Sequence, residues 1–97
     1  MRLLVSITDH RLTVDESARH KLNAVYKRLR EELDTPDAQR LGTAQRLWVQ
    51  YRDANCLAER NLYAGGTAAP PAYLACLEAM TRPRTKELAV THAVALK

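Results

Sequence analysis

The chain has 97 residues, a formal net charge of +4 and a calculated isoelectric point of about 9.4. This length allows one domain with a modest core and leaves no room for a separate cofactor-binding domain. Phenylalanine is absent and only 5% of the residues are aromatic. Leucine, valine and alanine must therefore supply most of the buried surface, which favours packed helices over a sheet sandwich. The mildly basic charge favours anionic partners only weakly.

The first segment, residues 1–12, has apolar positions at Val5, Ile7 and Leu12 that alternate loosely. We expect a flexible arm or a short strand there. The apolar run stops at Asp9, short of the roughly 7 to 15 residues of a signal-peptide core, so we expect no complete signal peptide in this chain. No stretch approaches the roughly 20 apolar residues of a membrane-spanning helix. The prediction is a single helical domain over residues 13–94 and no membrane span.

Helix one is predicted to start at Thr13, because Thr13 and Glu16 have the spacing of a capping box. Apolar residues then recur at helical spacing, at Ala18, Leu22, Val25, Leu29 and Leu33. The opposite face is basic, and Glu31 and Glu32 can pair with its cations one turn back. We interpret this face as solvated. Alternatively, it binds an anionic polymer through Arg19, Lys21, Lys27, Arg28 and Arg30.

Helix two is predicted from Pro36 to about Leu62, since Thr35 can cap it and proline suits the first helical position. The connection to helix one is short, so the two helices should be antiparallel. Arg52 can stack on the indole of Trp48, the only tryptophan. The stripe that we expect to face the core comprises Leu41, Ala44, Trp48, Tyr51 and Asn55, with Arg52 and Cys56 at its edge.

Residues 65–71 form an extended cluster of glycine and proline that should end helix two. Pro83 removes a backbone donor and crowds the preceding turn, so we expect a kink or a break between Met80 and Arg82. The predicted fold is all-α, a small antiparallel bundle of three helices, or of four if the chain breaks at Pro83. The inner stripe predicted for helix three is Tyr73, Cys76, Leu77, Met80, Arg84, Leu88 and Thr91.

The two cysteines, Cys56 and Cys76, flank the glycine-rich segment. They either form a disulfide or remain as two buried thiols. A zinc site that combines them with His20 or His92 lacks paired-ligand spacing, so we expect no metal. The sequence has no metalloprotease helix, nucleophile elbow or phosphate-binding loop. We therefore predict a non-enzyme without a cofactor.

Five pieces of the chain carry a resemblance through their order and spacing. They are residues 22–26, residues 45–53 with Cys56, residues 65–67, Cys76, and residues 81–88. Together they resemble the bacterial LprI-type domain, a family associated with lysozyme inhibition, and the resemblance covers roughly residues 17–88. The positions that match the family pattern are Leu22, Asn23, Tyr26, Gln45, Trp48, Tyr51, Arg52, Asp53, Arg84 and Leu88.

This resemblance implies a small helical domain, periplasmic or secreted, with Cys56 and Cys76 bridged. It also implies a binding protein that occludes a protein partner similar to lysozyme. The candidate partner-binding loop is Gly65, Gly66 and Thr67. Nucleic acid is not the expected partner. The alternative function is an interaction module that binds an anionic ligand, nucleic acid or an envelope polymer, through the basic face of helix one.

Overall fold

The chain folds into three helices connected by short turns. A computed structural model describes residues 2–96, with side chains from residue 16 onward. The helices are α1 (Arg2–Glu32), α2 (Thr35–Asn61) and α3 (Ala69–Thr91), and a 3-10 turn follows at Ala93–Leu96. No strand occurs among the described residues. The prediction of an all-α three-helix fold is confirmed.

The helices run up, down and up. Helix α2 is antiparallel to α3, because Gln45 near its start contacts Arg84, whereas Cys56 near its end is bonded to Cys76. The short connection at residues 33–34 makes α1 antiparallel to α2 as well. Helix α3 packs against both other helices, and α1 and α2 contact each other least. The third helix therefore holds the bundle together.

The leucine core lies at the end of the bundle where α1 ends and α2 begins. Its buried members are Leu22 and Leu29 from α1, Leu41 from α2 and Leu88 from α3. Leu22 and Leu29 lie two turns apart, so they face the same side of α1. Helices α2 and α3 each contribute one leucine to the cluster. Partly buried residues that pack on this cluster are Val25, Tyr26, Leu33, Trp48, Ala95 and Leu96.

Helix α2 begins with a side-chain cap. The Asp34 carboxylate accepts a hydrogen bond from the backbone N–H of Asp37 at 2.9 Å, and Asp34 has extended backbone angles. A carboxylate in this position satisfies a donor that the first helical turn leaves open. Pro36 lies in that first turn, as expected. The cap is therefore Asp34, and the prediction of Thr35 as the cap is wrong by one residue.

Helix α1 begins earlier than the sequence pattern indicated. It starts at Arg2, so the backbone of residues 2–12 is helical, and the predicted start at Thr13 is wrong. The side chains of the proposed capping box at Thr13 lie outside the described residues. The division of the chain into an arm and a domain over residues 13–94 stays a prediction.

The buried face of α2 is rotated relative to the predicted stripe. Tyr51 is 62% exposed, and Ala44 and Asn55 are also exposed. The buried residues are instead Ala38, Leu41, Gly42, Gln45 and Cys56. Cys56 faces α3 through the disulfide, and Gln45, Leu41 and Ala38 lie on the same side of the helix, three to five turns before it.

Helix α3 continues through Pro83, so the predicted break is wrong. The residues on either side of the proline are anchored in the interior. Thr81 is fully buried and donates its hydroxyl to the carbonyl of Leu77 at 2.6 Å, and Leu88 is also buried. Packing on both sides outweighs the local cost of the missing backbone bond. Thr91, predicted to face inward, is exposed.

Candidate functional site

The turn between α2 and α3, residues 62–68, continues the direction of α2 and then reverses the chain. The N–H of Tyr63 donates to the carbonyl of Arg60 at 3.0 Å, and the N–H of Gly66 donates to the carbonyl of Tyr63 at 3.0 Å. Gly65 has a φ of 82°, a left-handed conformation that residues with a Cβ rarely adopt. Because the Gly66 N–H is bonded inside the turn, the glycine pair does not offer two open donors to an anion.

A disulfide closes the base of this turn. Cys56 and Cys76 are bonded, with their Cα atoms 5.5 Å apart, and both residues are buried. The predicted bridge is confirmed, and the alternative of two free thiols is wrong. A link across a sequence separation of 20 lowers the entropy of the unfolded chain, which stabilises the fold by roughly 3 kcal/mol. The two helix ends that carry the turn are thereby fixed relative to each other.

The turn exposes apolar side chains at the end of the bundle opposite the leucine core. Leu62 is 80% exposed and Tyr63 is 47% exposed, and the glycines and Thr67 are also exposed. The whole segment between Arg60 and Glu78 contains no charged residue. We call five of these exposed residues the turn surface; it consists of Leu62, Tyr63, Gly65, Gly66 and Thr67.

Trp48 lies between two arginines. The guanidinium carbon of Arg52 is 5.3 Å from the ring centroid, and that of Arg84, from α3, is 5.7 Å away. Both distances are in the range of cation–π contacts. The Arg52 side chain pairs with Asp53 at 2.9 Å. The predicted stacking of Arg52 on Trp48 is confirmed, and Arg84 adds a second cation.

Arg84 also connects the two helices through hydrogen bonds. Its Nε donates to Oε1 of the buried Gln45 at 3.1 Å, and its Nη1 pairs with Glu87. The Arg84 side chain is only 13% exposed, so this charge is largely removed from water and depends on these acceptors. Arg84 therefore acts as a structural link between α2 and α3.

The other residues of the family pattern divide into buried and exposed groups. Leu22 and Leu88 belong to the leucine core. Tyr26 accepts a hydrogen bond from Arg30 at 3.1 Å. Asn23 and Tyr51 are exposed. The pattern thus marks mainly the framework of the bundle, and the functional roles of its exposed members stay predictions.

The sequence analysis missed the contacts around the disulfide. The amide nitrogen of Asn55 lies 3.2 Å from the sulfur of Met80, and the Cys56 sulfur lies 3.8 Å from the same atom. Thr81, which is completely buried, was also absent from the predicted stripe. A weak signal was available for Thr81, because it follows Leu77, a residue of the predicted stripe, by one helical turn.

A groove of about 430 Å³ lies at the end of the bundle opposite the turn, beside the leucine core. Its polar residues are paired within the chain. Arg40 pairs with Asp37 at 2.7 Å, Arg84 is bonded as described above, and His92 lies 3.3 Å from the carbonyl of Leu88. In the described part of the chain, no group of three or more His, Cys, Asp or Glu residues is placed to hold a metal ion.

The family model described as "Lysozyme inhibitor LprI" matches residues 15–88. The match covers more than half of the chain. The chain belongs to the LprI family. Neither a curated protein nor a solved structure matches it.

The LprI match includes the parts of the molecule that define its shape. It spans α2, the turn surface and the disulfide, and it reaches Leu88, the last leucine of the core. The LprI family is a family of non-catalytic inhibitors, and its members are generally extracytoplasmic. Among the helices of the described residues, none is long and apolar enough to cross a membrane.

Proposed function

We propose that this LprI-family chain is a non-enzymatic binding protein of the periplasm or the extracellular space. It binds a lysozyme-type enzyme and occludes the cleft of that enzyme. The observation that carries the proposal is the turn surface, where exposed apolar residues project from a base closed by Cys56 and Cys76.

The turn surface suits entry into a cleft for two reasons. First, it lacks charge, so its burial against a partner does not require the removal of water from a charged group. Second, the disulfide fixes the helix ends that carry it, which reduces the conformational entropy lost on binding. Tyr63 would serve as the main anchor, since aromatic side chains dominate the binding energy of many interfaces, and Leu62 would add apolar contact area.

The disulfide also supports an extracytoplasmic location. Disulfides persist in oxidising compartments such as the bacterial periplasm and are rare in the cytosol. The Cys56–Cys76 bond is buried and is a large contribution to the stability of a domain of this size. We therefore place the working protein outside the cytoplasm.

The basic face of α1 is the less favoured binding surface. Arg28 donates to the carbonyl of Leu96 at 2.5 Å, and Arg30 donates to Tyr26. Arg19 lies 4.0 Å from Glu16. Several of its cations are therefore engaged within the chain, which reduces the charge available to an anionic polymer.

A turbidity assay tests the proposal. Lysozyme-driven lysis of bacterial cell walls should slow when the oxidised chain is present in equimolar excess. Leu62→Glu and Tyr63→Glu should each raise the concentration needed for half-inhibition by about tenfold or more, because burying an unpaired carboxylate in the interface costs more than about 1.4 kcal/mol.

Val94→Glu is the matched control, since Val94 is 82% exposed and lies outside the turn surface. This variant should inhibit like the parent chain. Undiminished lysis together with no detectable binding of the parent chain would refute the proposed function.

A further inference from the structure

Arg60 lies in the last turn of α2, directly before the turn surface, and it is the last charged residue before Glu78. The residue is exposed, as is its neighbour Glu59. Among the described residues, no carboxylate lies within ion-pair distance of Arg60. The cation beside the turn surface is therefore free to pair with a carboxylate outside the chain. The arginines that do pair with carboxylates are Arg19, Arg40, Arg52, Arg82 and Arg84.

An aromatic ring holds this cation in place. The guanidinium carbon of Arg60 is 6.0 Å from the centroid of the Tyr73 ring, at the outer limit of a cation–π contact. Tyr73 lies in the second turn of α3 and is half-buried. Side chains of a helix lean toward its first residue, and the first residues of α3 adjoin the turn. The ring thus keeps the guanidinium at the end of the bundle that carries the turn surface.

The hydrogen bonds of the turn place Arg60 on the same side as Tyr63. Three successive N–H groups, at residues 62–64, each donate to the carbonyl three residues earlier, at 3.0–3.3 Å. This is 3-10 geometry, in which side chains three residues apart lie above one another. Arg60 therefore shares a side of the turn with Tyr63, the main anchor of the proposed interface, whereas Glu59 lies on another side with Leu62.

A lysozyme-type enzyme offers the complementary charge inside its cleft. Glycoside hydrolases of this kind carry two carboxyl groups that flank the scissile bond. In lysozyme, one of them acts as the acid and the other stays ionised. Arginine suits such a partner, because its planar head can donate two parallel hydrogen bonds to one carboxylate.

We infer that Arg60 pairs with the catalytic carboxylates of the enzyme when Tyr63 enters the cleft. This inference rests on the proposed function and adds to it the group that recognises the catalytic centre. A carboxylate that is held by Arg60 is not available to the substrate. The pair forms inside the cleft, where salt screens it much less than it screens exposed charges, so binding still depends little on ionic strength.

A double-mutant cycle across the interface tests the inference. Isothermal titration gives the Kd of the oxidised parent chain and of Arg60→Gln, each for a lysozyme and for a variant of that lysozyme in which both catalytic carboxyl groups are amides. Arg60→Gln should raise the Kd for the unmodified lysozyme by about tenfold or more, because it leaves a buried carboxylate without its partner. For the amide variant, the two chains should bind within about threefold of each other, since no ionised carboxylate remains.

Two exposed charges on α2 provide matched controls. Arg46→Gln makes the same change of charge about 21 Å from Arg60 along the helix, at a side chain that donates to Thr43, and it should bind like the parent chain. Glu59→Gln removes a charge of the same sign as the carboxylates in the cleft, so it should bind at least as tightly as the parent. Because Arg60 is exposed, Arg60→Gln should keep the unfolding midpoint of the parent chain.

The outcomes separate this inference from the proposed function. If the parent chain binds lysozyme and Arg60→Gln binds it equally well, the inference is wrong and the proposed function stands. An equal loss of affinity for both forms of the enzyme would also overturn the inference, because Arg60 would then contact another part of the enzyme. A parent chain that does not bind lysozyme at all would refute both.

Discussion

Polar residues connect α2 and α3 beside Trp48. Gln45 is only 8% exposed and the Arg84 side chain 13%, and neither was recognised from the sequence as a buried pair. Periodicity of apolar residues identifies a helix face, but it ignores the long aliphatic stem and the planar head of arginine, which can pack on an indole. The sequence placed Arg52 beside Trp48 and Arg84 on the inner stripe of helix three, but it did not indicate that Arg84 bonds to Gln45.

The Gln45–Arg84 contact predicts non-additive effects of substitution. Arg84→Ala should lower the free energy of unfolding by roughly 2–4 kcal/mol, because it leaves the buried Gln45 amide without its partner and removes a contact with Trp48. Gln45→Leu should cost about 1–3 kcal/mol, since Arg84 then loses an acceptor. The double variant should cost at least about 1 kcal/mol less than the sum of the two. Urea unfolding with the disulfide intact measures all three values.

Arg82→Ala is the control for this cycle. Arg82 pairs with Glu78 at 2.7 Å, but its side chain is 62% exposed. Exposed pairs contribute only about 0–1 kcal/mol, so this variant should unfold near the parent midpoint. Additive effects at Gln45 and Arg84 would show that the contact does not link the helices energetically.

At the scale of elements, the sequence predicted the number of helices and most of their ends. The helical spacing of Leu22 and Leu29 and the proline at position 36 were sufficient for α2 and for the end of α1, whereas the start of α1 was predicted too late. The sequence did not predict which side of α2 is buried, because that side is set by the packing of α2 against α3, which is a tertiary constraint. The sequence also predicted too large an effect of Pro83 on α3. The local cost of a proline can be read from the sequence, whereas the burial of Thr81 and Leu88 cannot.

We predict that substitution of Pro83 by alanine stabilises the chain. Pro83→Ala restores the backbone donor toward the carbonyl of Ala79 and removes the clash of the ring with the preceding turn. Proline in a helix interior is about 3 kcal/mol less favourable than alanine, whereas the lost restriction of the unfolded chain costs only about 0.4–1 kcal/mol. The free energy of unfolding should therefore rise by about 2–2.6 kcal/mol in urea titrations. An exposed neighbour, Lys86→Ala, should change it by less than about 0.5 kcal/mol.

A lower stability for Pro83→Ala would mean that α3 needs the geometry that the proline imposes. In that case, Thr81 and Leu88 would pack well only when the proline shapes the helix between them.

We predict that loss of the disulfide strongly lowers the stability of the chain. Replacing both Cys56 and Cys76 with serine should lower the free energy of unfolding by roughly 3 kcal/mol through the greater entropy of the unfolded chain, with a further cost for burying two hydroxyls. Circular dichroism during guanidinium unfolding, with the oxidised chain as reference, measures the difference. Equal midpoints for the oxidised chain and the variant would contradict the role assigned to the bond.

At the scale of the whole molecule, the two ends of the bundle differ. One end holds the leucine core, and the other relies on the Cys56–Cys76 bond and carries the turn surface. A small core with a disulfide is typical of domains that work in oxidising surroundings. The resemblance in sequence identified the family, but it marked framework residues. The exposure of Leu62 and Tyr63 became visible only in the folded chain.

The proposed inhibition and the alternative role of α1 differ in their response to salt. Binding through an uncharged turn depends little on ionic strength, whereas binding through the cations of α1 weakens steeply as salt increases. Charge reversal at Lys27, which is exposed, should affect only the second mode. Replacement of Tyr63 should affect only the first.

Isothermal titration of a lysozyme with the oxidised chain, at about 0.05 M and about 0.3 M salt, is the most direct measurement. We predict a Kd that changes by less than about threefold between the two conditions, is unaffected by Lys27→Glu and rises at least about tenfold in Tyr63→Glu. Absence of binding, or binding that is lost with salt and with Lys27→Glu while Tyr63→Glu has no effect, would contradict the account.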